Sequence, residues 1–136
     1  MSQDGRDRLP DLLLAARAVR EHAYAPYSGF TVGAAVLAGG SVFAGANVEN
    51  ASYPVSVCAE RSAVSAMIAA GQRRIDAVAL VAGGPDGPSS PCGACRQVLW
   101  EFADAGVPVV SEHADDGSRV RWTVGELLPA AFDLSR

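Results

Sequence analysis

Leu9, Leu12, Leu13, Ala16 and Val19 recur at helical spacing, while Arg17, Arg20 and Glu21 fall elsewhere on the wheel. That periodicity predicts an amphipathic helix that starts at Leu9 and stops before Pro26. Ala25-Pro26-Tyr27-Ser28-Gly29 has the composition of a turn. Two apolar segments follow, 31–38 and 41–48, and the Gly39-Gly40 pair between them predicts a β-hairpin. After a loop at 50–54, residues 58–70 have helical composition. Ala59, Ala63, Ala66, Met67 and Ala70 are expected on its inner side, with Gly71 as the stop. Residues 75–82 are almost continuously apolar, as suits a central strand buried on both faces. The Gly-, Pro- and Ser-rich stretch 83–91 predicts a loop, 92–102 a helix and 107–111 a strand. Asp115-Asp116-Gly117 predicts a turn, followed by a strand at 119–123 and a short helix at 124–128 closed by Pro129.

The predicted order is α-β-β-α-β-α-β-β-α. It implies an α/β fold of three layers, α/β/α, with a mixed five-stranded sheet and helices on both faces. No internal repeat or composition break divides the chain, and 136 residues suit one domain, 1–136, with 1–8 expected as a loose charged leader.

Composition narrows the chemistry. Hydrophobic residues make up 49% of the chain and charged residues 19%, which excludes a disordered tail protein. The formal charge of −4 gives the whole molecule no footprint for a nucleic-acid polymer or an anionic membrane. All 11 basic residues are Arg, so Schiff-base and P-loop lysine chemistry is excluded. No targeting segment is visible and no window approaches 18 consecutive apolar residues. The expectation is a cytoplasmic protein with reduced thiols. Three cysteines, Cys58, Cys92 and Cys95, are a poor number for a disulfide framework and a natural one for a metal site.

Two short segments carry the candidate chemistry: Cys58-Ala59-Glu60 and Pro91-Cys92-Gly93-Ala94-Cys95. Both fall where a helix is expected to start, and the positive end of a helix favours thiolates, the form that zinc binds. Cys92 and Cys95, three apart, share a helix face. Three protein ligands with one position left open is the pattern of a catalytic zinc site, whereas a structural site commonly uses four. His22 and His113 lie in no ligand-spaced motif. A C-x-x-C alone is equally a redox pair or half of a structural zinc site. The companion Cys-Ala-Glu separates these readings, because Glu60 places a carboxylate beside the metal without being a ligand. Three thiolates on Zn²⁺ sum to −1, and Arg61 and Arg96, each directly following a motif, are candidates to offset that charge or are ordinary surface arginines.

At these residues the sequence resembles the small zinc-dependent, homotetrameric cytidine deaminases that act on nucleosides. The pattern Cys-x-Glu followed by Pro-Cys-x-x-Cys is the zinc-deaminase signature. The resemblance extends over PYSGFTVGAAVLA at 26–38, ANVENASYPVSVCAERSAV at 46–64, SPCGACRQVLWEF at 90–102 and TVGELLPAAF at 123–132. It implies one Zn²⁺ per subunit on Cys58, Cys92 and Cys95, with Glu60 as the proton shuttle. It implies that Asn47 and Glu49 bind the sugar hydroxyls and that Phe30 stacks on the pyrimidine. On their own residues, the pair reads equally as a polar strand end, and Phe30 as a core residue. Backbone at Ala59, Ser90 and Cys92 would read the base edge. Tyr53 and Phe132 would reach a neighbouring subunit's site, although Phe132 alone reads as a hydrophobic anchor. Arg61 would neutralise the thiolates, Arg96 would assist, and Gln97 would support the ligands from behind. Gly29 and the stretch 83–89 depart from the family pattern.

The implied reaction converts cytidine or 2′-deoxycytidine and water to uridine or 2′-deoxyuridine and ammonia, a step of pyrimidine salvage. The partner is a small nucleoside, with no membrane and no polynucleotide. Two alternatives stay open: a deaminase of a modified cytosine nucleoside such as a nucleoside antibiotic, and a non-catalytic zinc-binding or redox module.

Overall fold

The computed structural model describes residues 5–134. Its elements run α1 (Leu9–Arg20), β1 (Val32–Ala38), β2 (Ser41–Ala46), α2 (Ala59–Ala69), β3 (Ala77–Ala82), α3 (Gly93–Phe102), β4 (Pro108–His113), β5 (Arg119–Thr123) and α4 (Val124–Leu127). Single turns of 3-10 helix occur at Gly5–Arg8 and Tyr53–Val55. The order of strands and α-helices is the predicted one. Spatially the sheet runs β2-β1-β3-β4-β5. The hairpin β1–β2, the pair β1–β3 and the pair β4–β5 are antiparallel, while β3 and β4 are parallel. A parallel pair needs a long crossover, and α3 supplies it.

Strand alternation sorts the sheet's side chains onto two faces. Ala34, Val36, Val78, Leu80 and Val109 join the core under α2, α3 and α4. Ala35, Leu37, Ala79, Val81 and Val110 join the core under α1. Three layers result. All six residues of β3 are buried, because both faces are covered along its length. Each fully buried Val or Leu contributes roughly 1.5–3 kcal/mol, so truncating Leu80 to Ala costs about 2–5 kcal/mol once the cavity is counted.

Helix α1 ends before Pro26, as expected, while other elements depart from expectation: β2 ends at Ala46 and β3 begins at Ala77, each two residues short of the predicted bound. Gly5–Arg8 is a 3-10 turn with Gly5 buried, not a loose leader; residues 1–4 of that expected leader lie outside the described residues. Helix α1 stops at Arg20 because the chain is then captured by pairing: Tyr24 N–H donates to the Asn47 carbonyl at 3.0 Å, and Glu49 N–H to the Tyr24 carbonyl at 2.8 Å. In α2 the inner face is Ala59, Glu60, Ala63, Val64 and Met67, leaving Ala66 and Ala70 exposed. The carboxylate of Glu60 is therefore turned inward. Strand β4 continues past Ser111 to His113 because its polar ends find partners. Glu112 accepts from Arg119 Nε at 2.6 Å and from Arg17 of α1, and His113 bonds the Gly84 carbonyl.

One close approach sets how α2 sits on the sheet. A Cβ on Gly45 of β2 would lie 2.4 Å from the amide nitrogen of Ala63 and 2.7 Å from the carbonyl carbon of Ser62. Only glycine lets the strand and the helix backbone come this near. Among the described residues no helix is long and apolar enough to cross a membrane.

Candidate active site

The first residues of α2 and α3 meet at one end of the sheet, where β1 begins opposite the end of β3, with Val32 paired to Ala82. Ligands gather beyond the carboxyl end of a parallel strand at such a topological switch. Val57 is fixed there by mutual backbone bonds with Val48, at 2.9 and 2.8 Å. That pairing puts Cys58, the N-cap of α2, at the sheet's edge. Cys92 is the N-cap of α3, and its sulfur accepts from Cys95 N–H at 3.5 Å. Both cysteines thus sit one residue before their helices, in extended backbone, and Cys95 lies in the first turn of α3.

The three sulfurs lie within 4.8 Å of one another, and Cys58 Sγ and Cys92 Sγ are 3.8 Å apart. A tetrahedral zinc with bonds of about 2.3 Å has ligand–ligand edges of ~3.8 Å, so the donor set fits zinc with one corner left over. Cys58 is half-buried, Cys92 exposed and Cys95 buried. The Cys95 thiol, donating to Cys58, draws the Cys58 thiol down to about 6, with the Arg61 charge assisting. Cys95, which holds the shared proton, is pushed upward by that same bond and by burial. The trio therefore releases its first proton near neutral pH, which prepares it for a metal.

Glu60 is 5% exposed. Burial, reinforced by the charge on Cys58, pushes its carboxyl up to about 7. A carboxyl poised near neutrality can take and return a proton with little driving force lost either way. It lines a cavity of about 170 Å³ with Phe30, Val32, Asn47, Cys58, Ala59, Leu80, Ser89, Ser90 and Cys92. Glu60, Cys58, Cys92, Ala59, Ser90, Phe30 and Asn47 from the sequence analysis thus face one space.

Phe30 is 41% exposed, so the expectation of a core residue fails and its ring is available at the cavity wall. Asn47 spends its amide on the chain: Oδ1 accepts from Val32 N–H and Nδ2 donates to the Phe30 carbonyl, both at 2.8 Å. Glu49 does the same for the turn before it. Its Oε1 accepts from the Tyr27 and Ser28 amides at 2.9 and 3.1 Å, and its Oε2 from the Ser28 hydroxyl. The Ser28 hydroxyl, with the two amides, holds this carboxyl below its usual range. Glu49 does not line the cavity, but it holds the loop that presents Phe30.

The remaining predicted residues stand further out. Arg61 donates to the Ser56 carbonyl at 3.1 Å while its charge bears on Cys58. Arg96 is committed to the carbonyls of Pro91 at 2.7 Å and Leu127 at 3.0 Å, bracing the start of α3 against α4. Gln97 donates to the Phe132 carbonyl at 3.0 Å and tethers the C-terminal segment. Tyr53 and Phe132 are 79% and 69% exposed and do not line the cavity. Sequence reasoning missed Ser28, Val32, Leu80 and Ser89. Only Ser28 carried a signal, as a hydroxyl in a turn beside Phe30.

Comparison with known proteins accords with this geometry. The family model described as "Cytidine and deoxycytidylate deaminase zinc-binding region" matches residues 8–111. A cytidine deaminase of Sporosarcina psychrophila is 45% identical over 122 residues, 89% of this chain and 88% of that protein. One of Halalkalibacterium halodurans is 48% identical over 122 residues, 89% of this chain and 91% of that protein. The crystal structure of cytidine deaminase from Burkholderia pseudomallei superimposes with a TM-score of 0.85 at 48% identity, covering 90% of this chain and 98% of that one.

Proposed function

The chain belongs to the cytidine and deoxycytidylate deaminase family, and on that premise we propose that it is a zinc-dependent hydrolase converting cytidine and 2′-deoxycytidine to uridine and 2′-deoxyuridine with release of ammonia. The observation that carries this reading is the buried carboxyl of Glu60 lining one cavity with Cys58 and Cys92, two of three thiols spaced for zinc, the third being the buried Cys95.

When bound to Cys58, Cys92 and Cys95, zinc supplies the Lewis acidity that makes water a nucleophile near neutral pH. Glu60 takes a proton from the attacking water and delivers it to N3 of the pyrimidine, which makes C4 electrophilic. It then carries the second proton to the amine leaving C4. Backbone groups at Ala59, Ser90 and Cys92 orient the base edge, and Phe30 covers the ring face. Asn47 and Glu49 keep one donor and spare acceptor capacity for the sugar hydroxyls after meeting their bonds to the loop. Zinc removal by a chelator followed by metal replacement tests the assignment through ammonia release from cytidine. Activity is expected to vanish and return. Persistence of full turnover in metal-free protein, or thiol–disulfide exchange activity in its place, would overturn it.

The reading extends to a single-domain, cytoplasmic homotetramer with shared sites. Free cysteines at the site suit a reducing compartment. An apolar groove of about 600 Å³ between α2 and α3, lined by Val57, Val64, Ile68, Val98 and Phe102, supports self-association, as do the exposed Tyr53, Val55, Phe132 and Leu134. Light scattering is expected to give four times the chain mass. A monomer of full activity would remove Tyr53 and Phe132 from the site.

A further inference from the structure

The loop 83–91, rich in Gly and Pro, is held from an unexpected direction. His113, the last residue of β4, pairs with Ala82 at the end of β3 and is 6% exposed. Its ring spans two turns. Nδ1 accepts from the amides of Asp115 at 3.2 Å and Asp116 at 3.4 Å. Two N–H groups directed at Nδ1 leave the proton on Nε2, which donates to the Gly84 carbonyl at 2.6 Å. The nearest carboxylate oxygen, Asp116 Oδ1, stands 3.5 Å from Nδ1 and is itself engaged by the Ser118 amide and hydroxyl.

Gly84 adopts φ +120°, a backbone conformation that side-chain-bearing residues rarely take. A Cβ placed there would meet Phe30 Cε1 at 3.5 Å, so the Phe30 ring faces this bare stretch of backbone across about the width of a methyl group. Arg20 Nε donates to the Thr31 carbonyl at 2.9 Å and so holds the backbone that follows Phe30. Five residues beyond Gly84 the loop reaches Ser89 and Ser90 in the cavity wall.

We propose that His113 is a positioning residue for the deaminase site: its Nε2–H···O=C bond to Gly84 fixes the backbone behind Phe30 and so sets the affinity of the cavity for the pyrimidine ring. The inference rests on the proposed function. It predicts a loss that falls on KM, because contact with an unreacting ring face serves ground and transition states alike.

Three variants, compared by cytidine kinetics and by amide hydrogen exchange over Gly84–Ser90, test it. His113→Ala is expected to raise KM about 5-fold with kcat within about 2-fold, and to speed exchange in the loop. His113→Gln restores a donor at the reach of Nε2 and is expected to bring back both KM and protection. His113→Asn restores only an acceptor at the reach of Nδ1, repairing the 113–118 turn without reaching Gly84, and is expected to resemble His113→Ala in KM. Rescue by Asn and not by Gln would reassign His113 to the turn and overturn the proposal. So would an unchanged KM in a folded His113→Ala protein with lowered Tm. Should His113→Ala fail to fold, the contrast between Gln and Asn still decides. If the wild-type protein releases no ammonia from cytidine, the proposed function falls, and loop exchange in the Gln and Asn variants decides the clamp by itself.

Discussion

Glu60 on α2 and Glu112 on β4 are each 5% exposed, but Glu60 is the more deeply enclosed by protein, and their carboxyls are driven in opposite directions. Burial opposes charge at both. At Glu60 no arginine among the described residues pairs with the carboxyl, the neighbouring Cys58 thiolate adds to the effect of burial, and in the protein without its metal the carboxyl rises to about 7. At Glu112 burial is outweighed by hydrogen bonds from Arg17 and Arg119, and the carboxyl falls below its usual range. The difference separates a group kept able to exchange a proton from one locked in its charged form. Low exposure alone does not identify a functional carboxylate; what the protein sets against the buried group decides which way its proton goes.

The sharpest way to break this contrast is to remove both protons' worth of chemistry by amidation. Glu60→Gln is expected to lower kcat by roughly 10²–10⁴ with zinc content unchanged, while Glu112→Gln leaves kcat within about 3-fold, a level short of any general-acid effect. Ammonia release with metal quantified in both proteins checks this. Equal losses in the two variants would erase the distinction. A smaller effect separates them in the other direction. Glu112→Gln is expected to destabilise the fold by about 2 kcal/mol in urea unfolding, less than a fully enclosed pair because Arg17 and Arg119 are open to solvent. The smallest effect is in pH dependence. The contribution of Glu112 is present above pH 4.5 and is lost as acid protonates it through its lowered folded value, so the gap between wild type and Glu112→Gln closes on acidification. Glu60 has the reverse sign: in metal-free protein its cost grows as pH rises from 4.5 through about 7, so Glu60→Gln gains on wild type over that window. Unfolding free energies measured across pH would reveal parallel slopes if the two environments were alike.

The sequence made legible what local rules govern. Hairpin β1–β2 follows from Gly39-Gly40, β3 from its apolar run, and the thiol trio from motif spacing, since ligands at helix starts leave a fixed pattern. Long-range capture was invisible. No local signal says that Tyr24 will pair with Asn47 and end α1, or that Arg17 and Arg119 will let β4 carry Glu112 past Ser111. Amphipathic counting misplaced the inner face of α2 because a carboxylate, Glu60, occupies it in place of Ala66 and Ala70. Asn47 and Glu49 show the same limit inside the site. Their alternation on a strand end was evident, but their hold on the Tyr27–Val32 segment depends on where a distant turn lands.

Gly45 stands outside the cavity, yet its missing side chain governs the depth at which α2, and with it Cys58 and Glu60, is seated. The position of the catalytic helix is thus gauged by an absence. A lineage descending from this sequence can trade one apolar residue for another across both cores. At residue 45 it has no such latitude: the smallest possible gain, a methyl group, collides with main chain, which cannot rotate aside. Selection for the chemistry would be felt there as the permanent refusal of an atom.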